Sequence, residues 1–121
     1  MGLILSSRND RGVAIFRPQG KLTLGPALHG FQKRVDRGIR DAHCGGLVLD
    51  LAQVSGMDSA GIGELVRIHS TAARRRLRVV LARASPQLKE MLAVTRVDAL
   101  FIFADDERSA LAVLLGPDKI A

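Results

Sequence analysis

Leu47-Val48-Leu49-Asp50-Leu51 and, a few residues on, Asp58-Ser59-Ala60-Gly61-Ile62-Gly63-Glu64-Leu65 decide the fold of this chain. The first stretch is a compact apolar run, the pattern of a strand covered on both faces. Ala52 to Asp58 reads as a short loop. The second stretch opens a helix in which Ile62, Leu65, Val66, His69, Ala72 and Ala73 share one face. Arg67, Arg74 and Arg75 lie off that face, the last two where the negative end of the helix dipole favours cations.

The same alternation continues downstream. Val79-Val80-Leu81-Ala82 is another buried strand, and Ser85-Pro86 has the form of an N-cap with proline at the first helical position. Leu88, Met91, Leu92 and Val94 form the apolar side of the short helix that follows. Ala99 to Ala104 reads as a last strand. Asp105-Asp106-Glu107 then opens a final helix with Ala110, Leu111, Leu114 and Leu115 inward, its acidic start matched to the positive end of the dipole.

Upstream, Leu3 to Ser7 and Val13 to Arg17 are strands joined through Asn9-Asp10-Arg11-Gly12, a turn-rich stretch suited to a hairpin. Gly20-Lys21-Leu22-Thr23 leads to Pro26, which opens an amphipathic helix with Leu28, Phe31, Val35 and Ile39 inward. The expected fold is a single-domain α/β sandwich over residues 1–115, a mixed sheet of about four to five strands with about four helices. Residues 116–121 read as a frayed tail.

Composition narrows the function classes. The 121 residues are 47% hydrophobic and 25% charged, so one ordinary core forms without disulfide or metal. Aromatics are 3%, which argues against a stacking platform for single-stranded nucleic acid. A net charge of +6 suits an acidic partner. The single Cys44 excludes an internal disulfide and favours a reducing compartment. No run approaches the about 18 apolar residues of a membrane span, and no basic-then-apolar leader opens the chain. A cytoplasmic protein without membrane insertion is the expectation.

Enzyme templates fit badly. Gly56-Met57-Asp58-Ser59-Ala60-Gly61 puts one residue too many before the serine for a nucleophile elbow. Gly61-Ile62-Gly63 lacks the third glycine of a dinucleotide fingerprint, and no glycine-rich lysine loop is present. His29, His43 and His69 have no metal-ligand spacing. No cofactor, no metal and no catalytic residue are expected. Arg74-Arg75-Arg76-Leu77-Arg78 is the strongest charge feature. It reads as a solvated helix end, with nucleic acid a weak alternative. The remaining candidate is the loop after Leu47–Leu51, at the C-terminal edge of the sheet where sites gather. Asp58 and Ser59 there either cap a helix or serve function, and the two roles are compatible.

The strand–loop–Asp-Ser-x-Gly-hydrophobic-Gly core, from Leu47 through Leu65, resembles the signature of the STAS family, the bacterial anti-sigma-factor antagonists and the related domains of sulfate transporters. The likeness runs from Gly20-Lys21-Leu22 through Arg78–Ala82 and Phe101 to the last helix. It implies a non-enzymatic switch that binds an anti-sigma factor, usually a serine kinase of the histidine-kinase-like ATPase fold. The kinase phosphorylates a hydroxyl at the start of the second helix and a serine phosphatase restores it. By resemblance the partner surface includes Asp58, Ser59, Ala60, Gly61, Ile62 and Gly63, with Arg67 and Ser70 on the exposed side of the helix. The sequence departs from the family at Ala60, where the best-known antagonists carry the acceptor hydroxyl. Either Ser59 accepts the phosphoryl group, or the chain is an unphosphorylated antagonist or docking scaffold of a stress-signalling or lipid-transport assembly. A third reading is a small module holding a nucleotide phosphate on the free N–H groups of the loop.

Overall fold

The computed structural model describes residues 2–43 and 45–116, so Cys44 and the expected tail beyond Gly116 lie outside the described residues. The chain opens with a hairpin of β1 (Ile4–Asp10) and β2 (Val13–Leu22). Its two-residue turn holds Arg11 at φ 51° and Gly12 at φ 90°, and this left-handed pair matches the twist of the flanking strands. Asn9 Oδ1 accepts the Gly12 N–H at 2.9 Å. Then follow α1 (Pro26–Asp41), β3 (Gly46–Asp50), β4 (Val54–Met57), α2 (Ser59–Ala73), β5 (Arg78–Ala82), α3 (Pro86–Val94), a 3-10 turn at Asp98–Leu100, β6 (Ile102–Ala104) and α4 (Glu107–Leu115).

The sheet order is β1-β2-β3-β5-β6, with only the β1–β2 pair antiparallel. Alternation along the strands splits the apolar residues between two cores. Phe16, Leu47, Leu49, Val79 and Leu81 face α1, α2 and α3, whereas Ile15, Val48, Val80 and Ala82 face α4. β3 is buried along its whole length, as its unbroken apolar run requires.

α4 is fastened at its start by ion pairs. Glu107 accepts hydrogen bonds from Arg8 Nη1 at 2.8 Å and from Arg17 Nη2 at 2.8 Å. Asp50, 2% exposed at the end of β3, accepts a bidentate pair from Arg83 at 3.1 and 2.6 Å. Hydrogen bonds from Arg17 foremost hold the Glu107 carboxyl well below the ordinary carboxylate range.

Among the described residues six strands are present, β4 being one beyond the four to five expected. The stretch read as a loop, Ala52 to Asp58, contains β4, which pairs parallel with the far end of β2 (Gly20 with Val54, Leu22 with Met57). β2 runs ten residues, well past Arg17, so one half pairs with β3 and the other with β4. The inward face of α2 also differs from expectation. Gly61, Ile62, Glu64, Leu65, Ile68 and Ala72 are buried, while Ala73 is exposed and Val66 and His69 are half-buried. The face is rotated because α2 packs on α1 as well as on the sheet. α2 ends at Ala73, so Arg74 and Arg75 lie in the turn beyond it. Val94 is 75% exposed, since Leu88 and Leu92 set the buried stripe of α3 and residue 94 points away from it. The segment before Ile102, expected as strand from Ala99, is the 3-10 turn.

Candidate functional site

Asp58 joins the end of β4 to α2 and serves two loops with one carboxylate. Its backbone is extended (φ −113°, ψ −173°), as an N-cap requires, and Oδ1 accepts the Gly61 N–H at 3.0 Å. Oδ2 accepts the Leu24 N–H at 3.0 Å, 34 positions away in the chain. The Leu24 amide first, then the Gly61 amide, hold this carboxyl below its ordinary pKa, because both bonds favour the charged form. β4 makes the meeting possible: its pairing with Gly20–Leu22 delivers Asp58 beside the start of the β2–α1 loop.

Gly61 sets how closely α2 approaches that loop. A Cβ there would fall on the Leu22 carbonyl oxygen and 2.6 Å from Met57 Cγ. Gly63 differs, with nothing within 4 Å of a Cβ. Capping and close packing are therefore both real at this helix start.

Ser59 is the first residue of α2 and is exposed, and no hydrogen bond to its hydroxyl occurs among the described residues. Ala60 is half-buried and Ile62 is buried. Ser59, Gly63 and Ser70 fall at helical spacing on one exposed ridge, Ser59 and Gly63 one turn apart and Ser70 about 16 Å further along the axis from Ser59. Leu24, 82% exposed, is tied to the Ser59 end of that ridge by its bond to Asp58. Sequence reading passed over Leu24, whose only signal was its place after Gly20-Lys21-Leu22.

Arg67 is placed differently. Its guanidinium donates to both oxygens of Glu64, at 2.9 and 2.7 Å, and lies 3.0 Å from Asp36 Oδ1 on α1. Glu64 is 8% exposed and Arg67 has 30% of its side chain in solvent. Arg67 joins α1 to α2 and turns its charge inward. The Glu64–Arg67 spacing of three residues was the overlooked signal. His69 packs edge-on against Phe101, with ring centroids 5.9 Å apart at 72°, a structural role.

A cleft of about 140 Å³ between β4 and α3 borders the site, lined by Val54, Met57, Ser85, Gln87, Leu88 and Met91 among others. None of its lining residues is a cation, so a nucleotide phosphate would find no charged partner there. Among the described residues no group of His, Cys, Asp and Glu could hold a metal ion, and no helix is long and apolar enough to cross a membrane.

Comparison with curated proteins finds no match. Solved structures match closely in shape at low identity. A Thermotoga maritima protein assigned as an anti-sigma factor antagonist superposes with a TM-score of 0.81 at 20% identity, covering 91% of this chain and 93% of that one. A serine-to-glutamate variant of RsbS from Moorella thermoacetica gives 0.80 at 17% identity, covering 95% and 97%. The Bacillus cell fate determinant SpoIIAA in its phosphorylated form gives 0.71 at 17% identity, covering 91% and 99%. At these identities the likeness establishes a common fold. The sequence profile of the STAS domain matches residues 5–110, from β1 to the first half of α4 and across the whole Asp58–Gly63 site. The chain belongs to the STAS domain family.

Proposed function

We propose that this protein is a non-enzymatic, cytoplasmic anti-sigma-factor antagonist, docking through the start and exposed ridge of α2 and switched off by phosphorylation of Ser59. The partner is an anti-sigma factor that is also a serine kinase of the histidine-kinase-like ATPase fold, with a serine phosphatase to reverse the modification. One observation carries the reading. Ser59 is exposed at the first position of α2, directly after an Asp58 whose carboxylate is tied to the Gly61 and Leu24 amides. A rigid cap thus presents a free hydroxyl beside Leu24 and one turn before Gly63, at the head of the exposed ridge that runs on to Ser70.

A phosphoryl group on Ser59 adds about −1.5 to −2 charges. The positive end of α2 tolerates that charge in the folded protein, while a docked interface built around a neutral hydroxyl loses it to repulsion and desolvation. The test is intact-mass analysis after incubation with ATP and the serine kinase encoded nearest to this protein, with peptide mapping of residues 50–67. A single phosphoryl group on Ser59 is expected. Stable binding to that kinase without any modification would contradict the switch.

Ala60 favours a second reading, docking without phosphorylation, because the residue just before Gly61 has no hydroxyl. Under that reading Ser59→Ala and Ser59→Asp bind the partner alike.

A further inference from the structure

The charge run Arg74 to Arg78 has no part in the Ser59 site. α1, α2 and α3 return the chain against the direction of the parallel strands, so their C-terminal ends lie at the end of the sheet opposite Ser59. Arg40 stands in the last turn of α1, Arg74 to Arg76 turn the chain after α2, Arg78 opens β5, and Arg96 follows α3. Among the described residues the acids at that end are Asp41 and Asp98, both exposed, and Asp10, which is ion-paired with Arg11. A helix end is served by a cation in its last turn, so consecutive arginines after α2 exceed what its dipole can use. Arg78 Nη2 donates to the Val113 carbonyl at 3.1 Å, and Arg74 Nη2 lies 3.4 Å from Thr71 Oγ1. The side chains of Arg75 and Arg76 make no hydrogen bond or ion pair among the described residues, although their backbone N–H groups donate to the Ala72 and Ala73 carbonyls.

Beside this run is an open groove of about 310 Å³. Leu77 and Val79 line it, Leu100 and Ile102 stand at the β6 side, and Arg76 and Arg78 line it as well. Leu100 is 37% exposed, an apolar side chain facing water at the edge of a basic field.

We infer that this groove docks an acidic segment of a partner protein, which inserts one aliphatic side chain against Leu77, Leu100 and Ile102 and sets carboxylates on Arg75, Arg76 and Arg78. Charge complementarity selects the acidic partner. The apolar lining is aliphatic apart from His69, whose ring is engaged edge-on by Phe101. This selects a protein over nucleic acid, whose bases are held by aromatic planes or by donors in a groove. A concave pocket likewise suits a single side chain better than a lipid surface, which takes projecting apolar groups. Fifteen helical residues at about 1.5 Å each put this surface roughly 22 Å from Ser59, so it works independently of the switch.

The experiment is fluorescence anisotropy on the full chain. The probe is a short fluorescein-labelled peptide with one central leucine between runs of aspartate and glutamate, compared with its serine-for-leucine counterpart. The leucine peptide is expected to bind about tenfold tighter, the worth of one buried aliphatic side chain. Arg75→Glu with Arg76→Glu abolishes binding of both peptides, and Leu100→Ser removes only the leucine advantage. Lys33→Glu with Arg108→Glu, the same change in net charge elsewhere, retains the tenfold preference, as does Ser59→Asp. Equal affinity for the two peptides, or equal loss in the two charge-reversed variants, would overturn the inference. So would tighter binding to a DNA duplex or to phosphatidylglycerol vesicles than to the leucine peptide.

Discussion

Gly61 and Gly63 are two positions apart and their surroundings are opposite. Gly61 lies where a side chain would strike the Leu22 carbonyl, whereas Gly63 faces open space on the exposed ridge. Gly61→Ala is therefore expected to destabilise by about 1–3 kcal/mol, the cost of forcing a methyl into a packed backbone contact. Gly63→Ala is expected to stabilise by about 0.5–1 kcal/mol through reduced freedom of the unfolded chain. Urea denaturation of both variants checks the pair, and like effects of the two would refute the account of α2 packing. Glu107 supplies a pH-dependent residue. Its folded pKa lies below the unfolded one, so it stabilises above the unfolded pKa of about 4.3 and loses this as pH falls toward the folded value. Glu107→Gln should thus lower the melting temperature near neutral pH, with the gap to wild type closing below about pH 4. A gap that stays constant on acidification would show that Arg17 and Arg8 gain nothing from the charge.

The element that most shapes the site is β4, and it was the least legible. Val54-Ser55-Gly56-Met57 offers four residues, one a glycine and one a serine, too short and too polar for alternation to register. It becomes a strand only because β2 extends past Pro18 and offers it a partner. By contrast α1 was readable in full, since Phe31, Val35 and Ile39 bury as their spacing demands and Pro26 starts the helix. α2 was readable in place and rotated in detail: Glu64 is drawn inward by Arg67, a pairing that hydrophobic spacing does not encode. This pairing predicts that Arg67→Ala costs about 2 kcal/mol, chiefly by leaving the Glu64 carboxylate buried without its partner. The loss should appear in thermal unfolding. A variant of unchanged stability that loses partner affinity would instead make Arg67 a contact residue.

Across the whole molecule, α2 connects two chemically different ends. Its start carries Asp58 and Ser59, with the exposed Leu24 tied alongside. The turn after its end carries Arg75 and Arg76, whose side chains have no partner among the described residues, beside a groove lined by Leu77, Leu100 and Ile102. The sheet between them is not uniformly covered. β3 and β5 are covered on both faces, while β1 is an exposed edge strand and β4 a short addition. Amide hydrogen exchange is expected to be slowest in β3 and β5 and faster in β1 and β4, because local openings are drawn from segments with little buried surface. Equal protection of β1 and β3 would contradict this. The central claim is tested most directly by titration calorimetry of wild type, Ser59→Ala and Ser59→Asp against the cognate anti-sigma factor. The account predicts that Ser59→Ala binds within about twofold of wild type and that Ser59→Asp is weakened on the order of tenfold or more. Equal affinity of Ser59→Asp and Ser59→Ala would contradict it.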